Sequence, residues 1–185
     1  MTTALITQPD RTFVVASGCF DLLSQLTDRD QLFTQQDVVA SKPDPMLRSF
    51  PVRSRGVMVH FQYWDYGTPQ PEWLMPALQG FANLVTLPAN WDREGASRID
   101  GATINRALAA TDQLLDVDSP APSVVPLSSG GLQIEWHRRR RDLEIEFTPT
   151  GKSEFYFFDE ETAEEHEGPV GSNFVNLRGY LPRIL

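Results

Sequence analysis

The fold of this 185-residue chain is decided by residues 124–158, which read VVPLSSGGLQIEWHRRRRDLEIEFTPTGKSEFYFF. Apolar and polar side chains alternate on both sides of the four arginines, and a period of two is typical of β-strands with one buried face. Glycine-containing stretches at 128–131 and 148–152 supply the turns between strands. Pro126 interrupts the first strand, which favours an edge position. The segment therefore predicts an antiparallel β-meander.

The alternation also predicts how the two central strands pair. Placing Trp136 opposite Leu143, and Ile134 opposite Ile145, puts all the apolar side chains of both strands on one face. Any register shifted by one residue would move half of them into water, so the pairing is strongly specified. One apolar face of this sheet must then be covered by other elements.

Two helices are predicted before the meander. Residues 71–85 and 101–117 both carry apolar side chains at the spacing of one helical face. Asp100 or Ser97 can cap the second helix, and the prolines after residue 118 end it. The sequence predicts an α+β fold: an antiparallel β-meander covered on one face by two helices, with an irregular N-terminal extension.

The chain divides into three parts in this interpretation. Residues 1–56 form a poorly defined N-terminal extension or subdomain, with a short strand at 12–16 and a helical spacing at 20–26. Residues 57–167 form the α+β core domain, which opens on an alternating strand. Residues 168–185 form a C-terminal tail that packs back on the core.

Composition narrows the class of partner. The formal net charge is −9 and there is a single cysteine, Cys19, so an intramolecular disulfide and a cysteine-rich zinc site are excluded. The acidic balance disfavours direct binding of nucleic acid and favours a protein with a basic surface. Neither a signal peptide nor a membrane span is predicted. We expect a cytoplasmic protein with no membrane partner and no cofactor, and a homodimer remains an open alternative.

A loop centred on Trp91 and Asp92 links the two predicted helices. A large aromatic side chain in a short loop is usually an anchor, so Trp91 is interpreted as a lid on the core. Asp92 is expected to accept hydrogen bonds from loop N–H groups, and Gly95 to adopt a left-handed backbone. The alternative is that Trp91 and Asp92 contact a ligand or partner.

This loop, LPANWDREGA at 87–96, followed by a helix, GGLQIEW and DLEIEF, resembles a widespread group of small bacterial proteins. Members carry an LPxxWDGYGA-like loop before a helix and a β-meander that ends in an acidic stretch. The resemblance covers residues 72–167 and implies a compact helix-plus-sheet module, without implying a reaction. Arg93 and Glu94 stand where many members have glycine and tyrosine, so no role of that tyrosine is carried over.

The polar face of the meander brings Glu135, His137, Asp142, Glu144 and Glu146 together. The alternation is what any half-exposed strand shows, so a solvated face that meets another protein is the favoured interpretation. The enzyme alternative is a metal-dependent hydrolase or nuclease that would use Glu135, His137, Glu144 and Glu146. A lysine is missing from this face, and the chain carries no serine-hydrolase, phosphate-loop or HExxH motif. No catalytic residue and no metal site is therefore assigned.

Two charged segments are the candidate partner-binding residues. The first is the tip formed by Arg138, Arg139, Arg140 and Arg141, and the second is the acidic run at 159–167, with Glu160, Glu161, Glu164 and Glu165. An acidic run of this kind is usually a solvated tail or loop. The alternative is that it imitates a phosphate backbone, which would make the protein an acidic inhibitor of a nucleic-acid-binding protein.

The sequence thus favours a non-catalytic protein–protein interaction module. The resemblance implies an accessory, antitoxin, immunity or defence-related subunit of a bacterial gene pair.

Overall fold

The computed structural model describes residues 11–15, 46–65, 69–171 and 174–184. The strands are β1 Arg11–Val15, β2 Met46–Ser54, β3 Val57–Asp65, β4 Ser123–Pro126, β5 Leu132–Arg138, β6 Arg141–Phe147, β7 Ser153–Asp159 and β8 Glu164–Pro169. The helices are α1 Leu74–Val85, α2 Gly101–Leu114 and α3 Val175–Ile184. No helix in these ranges has the length and apolar content that a membrane crossing requires.

The β-meander is confirmed. Strands β4 to β8 form one antiparallel sheet in which each strand lies beside the next in sequence. Trp136 is opposite Leu143 and Ile134 is opposite Ile145, which is the predicted register. Strand β4, which ends at Pro126, lies at the edge of the sheet. The fold is therefore α+β, as the sequence predicts.

The N-terminal region contributes a second sheet. It has three strands in the order β1-β3-β2, with β1 parallel and β2 antiparallel to β3. Strand β2 was not expected, and it pairs with β3 along its whole length, so the predicted boundary at residue 56 lies in the turn between them. Gly56 has φ 77° in that turn, where a side chain is disfavoured. The helical spacing predicted at 20–26 lies outside the described residues.

Both predicted helices are present and contact strands of both sheets. Helix α1 begins at Leu74, so Pro76 lies in its first turn, where a missing N–H costs little. The Asp100 side chain caps α2 by accepting a hydrogen bond of 2.6 Å from the Thr103 N–H. Helix α2 ends at Leu114, three residues earlier than predicted.

One continuous core joins the helices to both sheets. Its meander part consists of the predicted inward side chains, which are at most 7% exposed: Leu132, Ile134, Trp136, Leu143, Ile145, Phe147, Phe155 and Phe157. The Trp136 indole N–H donates to the Pro120 carbonyl at 3.0 Å, so its polar atom is satisfied within the core. Helix α2 packs on this face at β5 and β6, and the side chains on the opposite face of the sheet are half-buried or exposed.

The C-terminal segment forms a third helix that was not predicted. Leu177, Leu181 and Ile184 lie on its buried side, and α3 contacts β5 and β6. Tyr180 stacks on Phe157 with the ring centroids 4.4 Å apart. The helix thus covers the same face of the meander as α2 and helps to close the core.

The acidic run is not the solvated tail or loop that was expected. Only its first part is a turn, and Glu164–Pro169 forms β8, the fifth strand of the meander. The period-two signal was hidden because β8 has no apolar side chain before Pro169. Its pairing with β7 is provided by backbone hydrogen bonds, which do not depend on side-chain type.

Candidate functional site

The open face of the five-stranded sheet is built from the side chains that alternate with the core residues. They form three rows across neighbouring strands, which follow from the register. The rows are Val125, Gln133, Glu146, Glu154 and Pro169; Ser123, Glu135, Glu144, Tyr156 and Glu167; and His137, Asp142, Phe158 and Glu165. We call this surface the acidic face.

Negative charge dominates the acidic face. It carries one imidazole, and no arginine or lysine stands in the three rows. Seven of its side chains are carboxylates: Glu135, Asp142, Glu144, Glu146, Glu154, Glu165 and Glu167. All of them are half-buried or exposed. Desolvation raises the pKa of Tyr156 above its usual value, and the charge of Glu165 and a hydrogen bond to it raise it further. The face therefore presents a fixed array of negative charge around one tyrosine.

A shallow groove of about 350 Å³ runs across the acidic face between β6 and β8. Four carboxylates line it, from Glu144, Glu146, Glu154 and Glu167, together with Tyr156 and Pro169. The phenol ring and the proline ring supply apolar surface between the charges. A concave, acidic and partly apolar groove is complementary to a cationic side chain that has an apolar stem, as in arginine or lysine.

His137 lies at one end of the acidic face between carboxylates. Its Nδ1 is 2.7 Å from Asp142 Oδ1, and its Nε2 is 3.4 Å from Glu135 Oε1. The hydrogen bond to Asp142 is the main reason that the pKa of His137 is raised above its usual value. Glu135, His137 and Glu144 each offer a donor atom within 4.8 Å of the other two. Of the four residues named for the enzyme alternative, Glu146 is the one outside this group.

The arginine tip has an unusual backbone. Arg139 and Arg140 form a two-residue turn between β5 and β6 with φ 53° and 60°. Such a turn needs positive φ at both positions and ordinarily uses asparagine and glycine. The two bulky side chains therefore occupy a backbone conformation that is unfavourable for them. Hairpin pairing on both sides holds this turn in place.

Two of the four arginines are engaged by the acidic run. Arg140 donates from Nε and Nη2 to the two oxygens of Glu160, each at 3.0 Å. Arg141 donates to Asp159 at 2.7 Å and to Glu161 at 3.2 Å. The side chains of Arg138 and Arg139 are exposed at the tip. The two predicted partner-binding segments thus face each other, and a large part of their charge is compensated within the chain.

Asp159 is the centre of an ion-pair network at the end of the sheet. Its side chain is completely buried, and Arg141 Nε and Arg183 Nη2 each lie 2.7 Å from its Oδ2. Arg183 also donates to Glu164 at 2.7 Å and lies over the Phe157 ring at 4.8 Å. This network joins α3 to β6, β7 and β8. Sequence reasoning missed Arg183, because nothing local in the sequence links it to Asp159.

The Trp-Asp loop lies beside the first turn of the meander. Asp92 Oδ1 accepts hydrogen bonds from the N–H groups of Glu94 at 2.8 Å and Ala96 at 3.0 Å, and Ser128 donates to Oδ2. These bonds lower the pKa of Asp92. Gly95 has φ 95°, in the left-handed region. Trp91 is half-buried and packs against the core from outside.

We expect Trp91→Ala to lower the free energy of unfolding by about 2 kcal/mol, which is less than the loss for a fully buried aromatic residue. The reason is that half-buried Trp91 excludes less water and fills less interior volume than a core side chain. Urea unfolding of the two proteins measures the difference. A loss as large as that of a buried aromatic residue would mean that the loop is part of the core. Unchanged stability together with lost partner binding would make Trp91 a contact residue.

Comparison of the chain with protein-family models, with curated proteins and with solved structures finds no match. The resemblance based on the loop at 87–96 therefore stays a prediction.

Proposed function

We propose that this protein is a non-catalytic protein–protein interaction module whose acidic face docks on a basic surface of another protein. The observation that carries the proposal is the segregation of charge: seven carboxylates share one face of a sheet with no arginine or lysine in its rows. The resemblance of residues 72–167 adds a finer proposal, that the partner belongs to the same bacterial gene pair.

The rigidity of the surface favours binding. The carboxylates project from neighbouring strands about 4.8 Å apart, and backbone hydrogen bonds hold those strands in register. A preorganised array loses little conformational entropy when a partner docks on it. A mobile acidic tail would lose more, so placing the charge on a sheet improves affinity.

The aromatic side chains of the face favour a protein partner. Tyr156 and Phe158 are half-buried on β7, and Tyr156 lines the groove. Tyrosine and other aromatic residues are enriched in protein interfaces, where they supply apolar contact area between charged groups. Nucleic acid is disfavoured because its phosphates would be repelled by the surrounding carboxylates. Arginine side chains of a partner satisfy both the charge and the apolar requirement of the groove.

The segments named from the sequence are assigned different roles in this proposal. Glu165 lies on the acidic face itself. Glu160, Glu161 and Glu164 pair with arginines of the same chain, so we propose that they hold the end of the sheet together. Arg138 and Arg139 remain available at the tip, at the border of the acidic face, for an acidic group of the partner.

A variant in which the four carboxylates of the groove are neutralised tests the proposal. The fourfold variant Glu144→Gln, Glu146→Gln, Glu154→Gln and Glu167→Gln changes the net charge from −9 to −5. We expect association with the partner captured from the native host to slow about tenfold at low ionic strength, because charge on a docking face steers the encounter. The measurement is the association rate as a function of salt concentration.

The matched control makes the same change in charge outside the face. It is the variant Glu72→Gln, Glu94→Gln, Asp116→Asn and Asp118→Asn, in which all four positions are exposed. We expect the control to bind nearly as fast as the native chain and to keep most of its salt dependence. Equal slowing of both variants would assign the effect to net charge. Unchanged binding of the groove variant would reject the acidic face as the docking surface.

A further inference from the structure

We propose that Glu135, His137 and Glu144 form a binding site for a divalent transition-metal ion, with zinc as the best match. This inference does not need the proposed docking function, because zinc binding is measured on the chain alone, but the two surfaces share Glu144, which also lines the groove. Each residue offers one donor atom, and the three donor atoms lie within 4.8 Å of one another. One imidazole and two carboxylates form a ligand set that zinc accepts.

The observed distances suit a small tetrahedral ion. Zinc binds nitrogen and oxygen at about 2.0–2.1 Å, so two neighbouring ligands of a tetrahedral ion are about 3.3 Å apart. His137 Nε2 is 3.4 Å from Glu135 Oε1. Glu144 lies directly opposite Glu135 on the adjacent strand, within reach of the same ion. The donor atom of Glu144 lies within 4.8 Å of the other two donor atoms.

Asp142 orients the imidazole for this role. Asp142 is opposite His137 in the sheet, and its Oδ1 is 2.7 Å from His137 Nδ1. When Nδ1–H donates a hydrogen bond to Asp142, Nε2 is unprotonated, and its lone pair is directed toward the two glutamates. A carboxylate behind the histidine is the usual arrangement in zinc sites, where it fixes the ring and increases its basicity. Asp142 is therefore a positioning residue and not a ligand.

The charges of the site also favour a cation. Glu135 and Glu144 are like charges at directly opposed positions, which is unfavourable in an antiparallel pair. Glu144 is half-buried and makes no side-chain hydrogen bond or ion pair with another residue that the structure describes. A divalent ion between the two carboxylates would convert their repulsion into attraction. Transition metals are favoured over magnesium because the third ligand is a nitrogen.

Calorimetric titration of the full chain with zinc chloride tests the inference. It is done at about pH 8, so that the imidazole is neutral and available. We expect saturable binding of one ion per chain. Glu144→Gln and His137→Gln should each weaken it at least tenfold, and Asp142→Asn should weaken it about tenfold through loss of orientation. Magnesium should bind much more weakly than zinc.

Matched controls separate coordination from general attraction to negative charge. Glu146→Gln and Glu154→Gln remove the same charge from the same face but lie outside the three-residue group. We expect them to change zinc affinity by less than about twofold, because they lose only a screened long-range attraction. The ¹⁵N chemical shift of His137 should move on addition of zinc in the native chain and in both controls.

Three outcomes would overturn the inference. They are the absence of saturable zinc binding, equal weakening by Glu146→Gln and Glu144→Gln, and binding that His137→Gln leaves unchanged. Thermal melts of all the variants accompany the titrations, so that a loss of binding is not assigned to a loss of fold. The substituted positions are half-buried or exposed, and we expect the melts to differ little from that of the native chain.

Discussion

Replacing Asp159 by asparagine is expected to lower the unfolding temperature by about 10 °C. The carboxylate is completely buried and lies 2.7 Å from both Arg141 and Arg183. Asparagine keeps the size of the side chain but removes its charge, so two partly buried guanidinium groups lose their common counter-ion. The contact that joins α3 to the sheet is weakened at the same time. Circular dichroism melts of the two proteins measure the change.

A matched control uses the neighbouring ion pair. Glu160→Gln removes the partner of Arg140, but both of these side chains are more than half exposed. Exposed pairs contribute little because water screens them, so the unfolding temperature should fall by about 2 °C or less. An equal fall in unfolding temperature in the two variants would show that burial does not determine how much an ion pair contributes to stability.

The loss of stability caused by Asp159→Asn is expected to depend on pH. The hydrogen bond from Arg141, followed by that from Arg183, lowers the pKa of Asp159 from 3.8 to about 2. A carboxyl group whose pKa is lower in the folded than in the unfolded chain stabilises the fold at pH values above its unfolded pKa. This contribution is lost as the pH falls toward the folded pKa. The stability difference between the native chain and Asp159→Asn should therefore shrink between about pH 4 and pH 2. A difference that stays constant over this range would indicate a packing effect.

Truncation of Phe157 is expected to lower the free energy of unfolding by about 3–5 kcal/mol. Phe157 is completely buried at the centre of the meander, and Tyr180 of α3 stacks on it at 4.4 Å. Phe157→Ala would leave a cavity beneath α3 and remove the ring over which the Arg183 guanidinium lies. Urea unfolding followed by tryptophan fluorescence gives the change in free energy.

Phe158→Ala is the natural control, because the adjacent residue has the same side chain on the opposite face of the sheet. Phe158 is half-buried on the acidic face and has no helix above it among the described elements. Its truncation should lower the free energy of unfolding by about 1 kcal/mol. If the two substitutions had equal effects, the assignment of the two faces of β7 would be wrong.

The regular elements between residues 72 and 159 could be predicted from the sequence. The two helices and the pairing of Trp136 with Leu143 follow from the period of apolar side chains, because each element has one face to bury. The same period places Glu135, Glu144 and Glu146 on the opposite face. The part of the acidic face on β5 and β6 was therefore readable from the alternation. Strand β8, which adds Glu165 and Glu167 to it, was not predicted.

The sequence by itself determined which side chains of each strand face inward and which face outward, since that depends on periodicity within a short segment. Only the tertiary structure decided which distant segments meet. Arg183 pairs with Asp159 across 24 positions, and the acidic run neutralises half of the arginine tip. Charged side chains at such separations carry no local pattern, because any arginine can pair with any carboxylate. Their partners are selected when the backbone topology and the packing of α3 bring them together in space.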